Sequence, residues 1–178
     1  MKPCATLFRI LTLAMTAVVT ACGGGSSSPS VSNPNDPVTI QSYTVTGTSA
    51  AVNGVAPINP GVNNGQFSAI WTVTGNTIYT VRIAVSTDTI YDGNDIDIVN
   101  GGCGKANVAD NCHTTGTVNC TFNNANIIAC SDLVAAFPTR DLSFFLSGGV
   151  PMNAYLVVRA CNPLLTSCPT AAVPIQIQ

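Results

Sequence analysis

The sequence predicts an all-β domain: a two-sheet antiparallel sandwich of about seven or eight short strands, behind an apolar leader and a polar linker. Three observations carry this. Beyond residue 37 no stretch keeps a 3.6-residue apolar period for three turns, whereas period-two alternation recurs in short runs. Gly, Asn and Pro punctuate those runs at the spacing of strand connections. Six cysteines follow residue 100, an even number suited to stapling a small domain.

The chain opens with Lys2 and Arg9, then runs apolar from Ile10 to Ala21 apart from three threonines. That run is too short for a membrane span and has the basic, apolar and small-residue order of a secretory signal peptide. Val19-Thr20-Ala21-Cys22 supplies an aliphatic residue, two small residues and a cysteine. It resembles the lipobox of bacterial lipoproteins; an ordinary signal peptide cut after an Ala-x-Ala-like site is the competing reading. The resemblance implies cleavage after residue 21, a diacylglycerol thioether on Cys22 with a further N-linked acyl chain, and membrane attachment through those lipids. Two or more chains make such anchoring stable, at about 0.8 kcal/mol per buried CH₂. Gly23 stands where an aspartate would, by the family's sorting rule, hold the protein in the inner membrane, so the resemblance implies the outer membrane. Residues 22–37 are then a lipidated cysteine and a tether of Gly, Ser, Pro, Asn and Asp around a single Val31. Such a segment buries too little to order itself, and as a coil it spans about 20 Å, or about 50 Å when stretched.

Residues 38–178 make one domain, long enough for a real core. Val38 to Val45 reads as an edge strand, and 50–65, rich in Asn, Gly and Pro, as a loop. Phe67, Ala69, Trp71 and Val73 alternate with Ser68, Ile70 and Thr72. After Thr74-Gly75-Asn76, Tyr79, Val81, Ile83 and Val85 alternate likewise. These two strands are expected to form the heart of one sheet, with Trp71 as the largest core residue. Val118–Phe122 and Ile127–Cys130 form a hairpin. Placing Cys120 opposite Cys130 leaves Asn124-Ala125-Asn126 as the loop, and Asn tolerates the left-handed conformation a three-residue loop needs. Directly opposed residues lie within reach of a disulfide. Ser131 is expected to cap a helical turn over Asp132 to Phe137, stopped by Pro138. Leu142, Phe144 and Leu146 read as a further strand. The last two strands are Tyr155 to Ala160 and Val173 to Ile177, with Cys161 and Cys168 stapling the loop between them.

Two further resemblances attach to these residues. Ser86-Thr87-Asp88, followed by a turn and the aliphatic run around Ile96 and Ile98, is similar to CARDB-like cell-adhesion sandwich domains. Tyr155-x-Val157-x-Arg159-Ala160 is similar to the penultimate strand of fibronectin type III and related Ig-like domains. Both imply an Ig-like β-sandwich.

After Cys22 the chain carries four cations, Arg82, Lys105, Arg140 and Arg159, against eight aspartates and no glutamate. That sparse, mildly acidic surface argues against nucleic acid as a partner. Cys103, Cys112, Cys120, Cys130, Cys161 and Cys168 are expected to form three disulfides in an oxidising compartment, Cys103 pairing with Cys112. A zinc site built from these thiols with His113 is the rival, and no C-x₂-C pair supports it. Asp88, Asp92, Asn94, Asp95 and Asp97 are candidate calcium ligands, since calcium takes six to eight oxygens; their spacing fails the EF-hand pattern, and the alternative is a solvated hairpin. No catalytic residue is assigned. His113 is the only histidine, and no phosphate-cradling glycine loop opens a helix. The expected function is therefore a non-catalytic binding or adhesion module. It would be displayed at the envelope and engage a protein or surface ligand through loops 50–65, 86–95 and 161–168. A periplasmic accessory lipoprotein of an envelope assembly is the alternative, and a carbohydrate-binding or hydrolytic domain the third reading.

Overall fold

The computed structural model describes residues 33–75, 78–103, 115–132 and 136–178. Cys22, Cys112 and His113 lie outside them, as do most of the tether and the expected cleavage site. The described chain is an all-β, Ig-like sandwich of two five-stranded sheets. In chain order the strands are β1 (Val38–Thr46), β2 (Ala56–Ile58), β3 (Gln66–Gly75), β4 (Tyr79–Ser86), β5 (Ile96–Cys103), β6 (Thr115–Phe122), β7 (Ile127–Ser131), β8 (Arg140–Asp141), β9 (Met152–Cys161) and β10 (Thr170–Ile177). One sheet runs β1-β3-β6-β7-β8 and the other β2-β10-β9-β4-β5. The pairings are antiparallel except that of β2 with β10.

Alternation explains the core. Phe67, Ala69, Trp71 and Val73 of β3 are buried, as are Tyr79, Val81, Ile83 and Val85 of β4 and Leu156, Val158 and Ala160 of β9. Two sheets each presenting one such stripe bury both by stacking face to face. β10-β9-β4-β5 follows the G-F-C-C′ order of an immunoglobulin sheet, and β1-β3 stand as A-B. The β6–β7 hairpin departs from that order. Its earlier strand lies beside β3, where the A-B-E-D order places the later one.

The structure corrects three expectations. β3 and β4 belong to opposite sheets, because β3 is already paired on both sides by β1 and β6. The chain passes from one sheet to the other between Gly75 and Tyr79, and Trp71 Nε1 donates to the Tyr79 hydroxyl across the core (3.4 Å). Residues 50–65 are not all loop. Ala56–Ile58 forms β2, fully buried and parallel to β10, too short for alternation to reveal. Leu142 to Leu146 is a turn, not a strand: Leu146 N–H donates to Leu142 O (2.8 Å), both leucines are buried, and Phe144 points outward. A four-residue spacing satisfies one turn as well as it satisfies alternation. Ser131 closes β7 and bridges to Ala136, and Phe137 N–H donates to Cys130 O. Residues 133–135 of the expected helical turn lie outside the described residues.

The two hairpin-scale disulfides are formed. Cys120 and Cys130 are directly opposed with Cα atoms 4.0 Å apart, and Cys161 bonds Cys168. Asn126 adopts φ 59° in the β6–β7 loop, where Asn123 N–H donates to Ile127 O. Cys103 ends β5; its expected partner is not among the described residues.

Candidate functional site: a charged concavity beside the β4–β5 loop

β4 and β9 pair in unbroken register, which sets Arg82 directly opposite Arg159 and Ala84 opposite Val157 on the outer face of their sheet. Ala84 and Val157 are nonetheless fully buried. The β4–β5 loop, residues 87–95, lies over this face, with Tyr91 as its contact. The Arg159 guanidinium stacks 5.2 Å from the centre of the Tyr91 ring. The Tyr91 hydroxyl donates to Asp97 Oδ1 (2.6 Å) and accepts from Arg82 Nη1 (3.4 Å). Arg82 Nη1 also lies 3.4 Å from Asp97 Oδ2, and Arg140 Nε donates to the Asp97 backbone carbonyl (2.7 Å). Three of the four cations that follow Cys22 therefore meet at Tyr91 and Asp97. Burial, followed by the bond to Asp97, raises the Tyr91 pKa above its ordinary value, so the phenol stays a donor through neutral pH.

Of the candidate calcium ligands, Asp92, Asp95 and Asp97 border one concavity, but their carboxylates are engaged in bonds of their own. Asp88 Oδ1 accepts from Ile90 N–H (2.7 Å), Asp92 Oδ1 from Asn94 N–H (2.7 Å) and Asp95 Oδ2 from Asp92 N–H (2.8 Å). Each carboxylate shapes its own turn, as Asp does in Asx-turns, and Asp97 is occupied by Tyr91 and Arg82. Among the described residues no three His, Cys, Asp or Glu side chains converge on a point that could hold a metal. What remains is a concavity of about 370 Å³ bordered by Arg82, Tyr91, Asp92, Asp95, Asp97 and Arg159. Sequence reasoning noticed its aspartates and missed its arginines. The signal was available in Arg82 and Arg159, each an outward position of a core strand in a chain almost without cations.

A larger groove of about 670 Å³ crosses the outer face of the other sheet. Gln66, Ser68, Asn119 and Thr121 line it from β3 and β6, with Phe137 and Thr139 beside them. Apolar surface predominates in it, with amides and hydroxyls interspersed; its two cysteines are oxidised, and no ionisable side chain lines it among the described residues. It can hydrogen-bond but has no group for general acid–base chemistry.

The three expected binding loops do not share one end. Loop 161–168 lies where the chain enters the sandwich. Ser167 Oγ accepts from Val38 N–H (3.1 Å), and buried Asn162 bonds Thr166, Ser167 and the Asp36 carbonyl. Residues 59–65 and 86–95 lie at the opposite end, beside the 123–127 hairpin and the 142–151 turn, where Leu142 N–H donates to Asn126 O (2.8 Å). That far end exposes Ile90 (65%), Phe144 (92%) and Val150 (54%). Among the described residues no helix is long and apolar enough to cross a membrane. No family model, no curated protein and no solved structure matches this chain.

Proposed function

We propose that this protein is an outer-membrane-anchored lipoprotein, attached through lipid on Cys22, whose Ig-like domain is a non-catalytic binding or adhesion module. One observation carries the binding part. The chain enters the sandwich at an end locked by its own cystine loop, while the opposite end presents loops 59–65, 86–95 and 142–151 with Ile90, Phe144 and Val150 exposed. A domain held at one end presents its other end to whatever it meets, and loops on a rigid scaffold are where binding residues concentrate. Large apolar side chains are exposed at the entry end as well, at Leu164 and Leu165, so what favours the far end is its distance from the point of entry.

The test combines Phe144→Ser with Ile90→Ser in the full chain. Cells displaying wild type are expected to retain a surface ligand or envelope partner that the double variant loses at unchanged melting temperature. Equal retention overturns the far-end assignment. The anchor is tested separately by Cys22→Ser, which is expected to release a folded domain from the membrane fraction; a variant that stays membrane-bound removes the lipoprotein reading. Protease shaving of intact cells, with lysed cells as control, then distinguishes a surface adhesin from a periplasmic accessory protein.

A further inference from the structure

We propose that the concavity between Arg82, Arg159 and the β4–β5 loop is a binding site for a small zwitterion, a molecule bearing both a carboxylate and an ammonium group. The inference does not rest on the lipid anchor; it shares the β4–β5 loop with the far-end assignment but uses the charges of its inner side rather than its exposed Ile90.

Arg82 and Arg159 are directly opposed on neighbouring strands. Like charges in that relation are destabilising, and the chain has few cations to place anywhere. Arg82 is balanced by Asp97. Arg159 has no carboxylate within salt-bridge distance among the described residues; its contact is the face of Tyr91. A guanidinium stacked on an aromatic ring is held in orientation while its N–H edge stays available for a carboxylate, which it can meet with two parallel bonds.

Charge balance then selects the ligand. With Asp97 neutralising Arg82, the concavity retains one cation, Arg159, and two carboxylates, Asp92 and Asp95. A simple anion such as phosphate would face net negative charge and be repelled. A simple cation could meet the two carboxylates but would leave the Arg159 guanidinium without a counter-charge. The opposite signs also come from different elements: the arginines project from β4 and β9, the two aspartates from the loop. A molecule with a carboxylate toward the sheet and an ammonium toward the loop matches both. Free amino acids and very short peptides, which carry both groups within one small molecule, share this chemistry. Asp92 and Asp95 each use one carboxylate oxygen in a turn, leaving the other for a ligand.

The experiment is an NMR titration of the purified, nitrogen-15-labelled full chain with alanyl-alanine, followed by its N-acetyl and C-amide forms, free alanine and inorganic phosphate. The expected result is saturable shifts at Tyr91, Gly93 and Arg159. Acetylation and amidation should each weaken binding about tenfold, with phosphate ineffective. Alanine against alanyl-alanine decides between an amino acid and a short peptide. Arg159→Met keeps the stem over Tyr91 and should weaken binding about tenfold at unchanged melting temperature. Asp92→Asn with Asp95→Asn keeps the turn acceptors, should do the same, and serves if the first variant fails to fold. Absence of saturable shifts at tens of millimolar overturns the proposal. So does equal binding of the blocked and free forms, or unchanged binding by both variants.

Discussion

Gly116 of β6 sits directly opposite Trp71 of β3, and a Cβ added there would overlap the indole at Cζ2, Cε2 and Nε1. Two opposing effects decide the outcome of Gly116→Ala. Replacing a strand glycine by alanine ordinarily gains about 0.5–1 kcal/mol in backbone entropy. Overpacking a close-fitting site costs about 1–3 kcal/mol. The indole cannot retreat cheaply, since it is buried in the core and its Nε1 donates to Tyr79 from the other sheet. The net expectation is a loss of about 0.5–2 kcal/mol, a fall of a few degrees in melting temperature for a domain of this size. Trp71→Phe removes the overlapping ring atoms, so in that background Gly116→Ala should become neutral or stabilising. Urea denaturation followed by circular dichroism gives all four corners of the cycle, with an expected coupling of about 1 kcal/mol or more. An increase in stability from Gly116→Ala in the wild-type background, or equal effects in both, refutes the packing argument.

Further outcomes follow from the same structure. Asn162→Ala leaves the Thr166 and Ser167 amides without their acceptor and should cost about 2–4 kcal/mol in calorimetry; Asn162→Asp, which keeps the acceptor, should cost less. Replacing Cys120 and Cys130 together by alanine should lose about 3 kcal/mol, and Cys161 with Cys168 about 2 kcal/mol, from the lengths of the loops they close. Equal melting of oxidised and reduced protein would refute both. The Tyr43 hydroxyl is buried without a hydrogen-bond partner among the described residues, and burial raises its pKa far above the ordinary value near 10. A raised folded-state pKa gives stability that is complete below about pH 10 and lost as pH climbs above it. Tyr43→Phe should therefore match or exceed wild type at neutral pH and lose less stability near pH 11, read as urea midpoints. Parallel alkaline losses in the two proteins would exclude Tyr43 as a source.

Where period-two alternation ran long enough, the strands were legible: β3, β4, β9 and β10 bury the stripes their sequences display. The Cys120–Cys130 register was legible because a three-residue loop and a left-handed Asn fix each other. Sheet membership was not. A connection of three residues between Gly75 and Tyr79 suits a hairpin and a corner equally, and only competition for the edges of β3 chooses between them. β2 escaped notice since three residues show no period. The charged concavity was half legible for a related reason. Asp88 to Asp97 are neighbours in sequence, whereas Arg159 reaches Tyr91 only through the β4–β9 pairing.

The placement of the clamp suggests why the entry end is so heavily bonded. If the far end holds a ligand while lipid on Cys22 holds the membrane, tension between them passes along β1, whose first residue, Val38, is also where the 161–168 loop attaches. Antiparallel bonds lie perpendicular to their strands, so a pull along β1 loads its whole ladder with β3 in shear rather than opening it one pair at a time. The bonds of Ser167 and Asn162 add a second attachment at the point of entry, and the Cys161–Cys168 bond ties that attachment to β9 in the other sheet. Load is then shared between both sheets before β1 can move. On this reasoning Asn162→Ala should lower the force needed to extract β1 by more than its loss of equilibrium stability implies, because it removes the sharing as well as the bonds. Single-molecule pulling between residue 37 and the C-terminus measures this; a force reduced only in proportion to stability would show that the clamp merely closes its own loop.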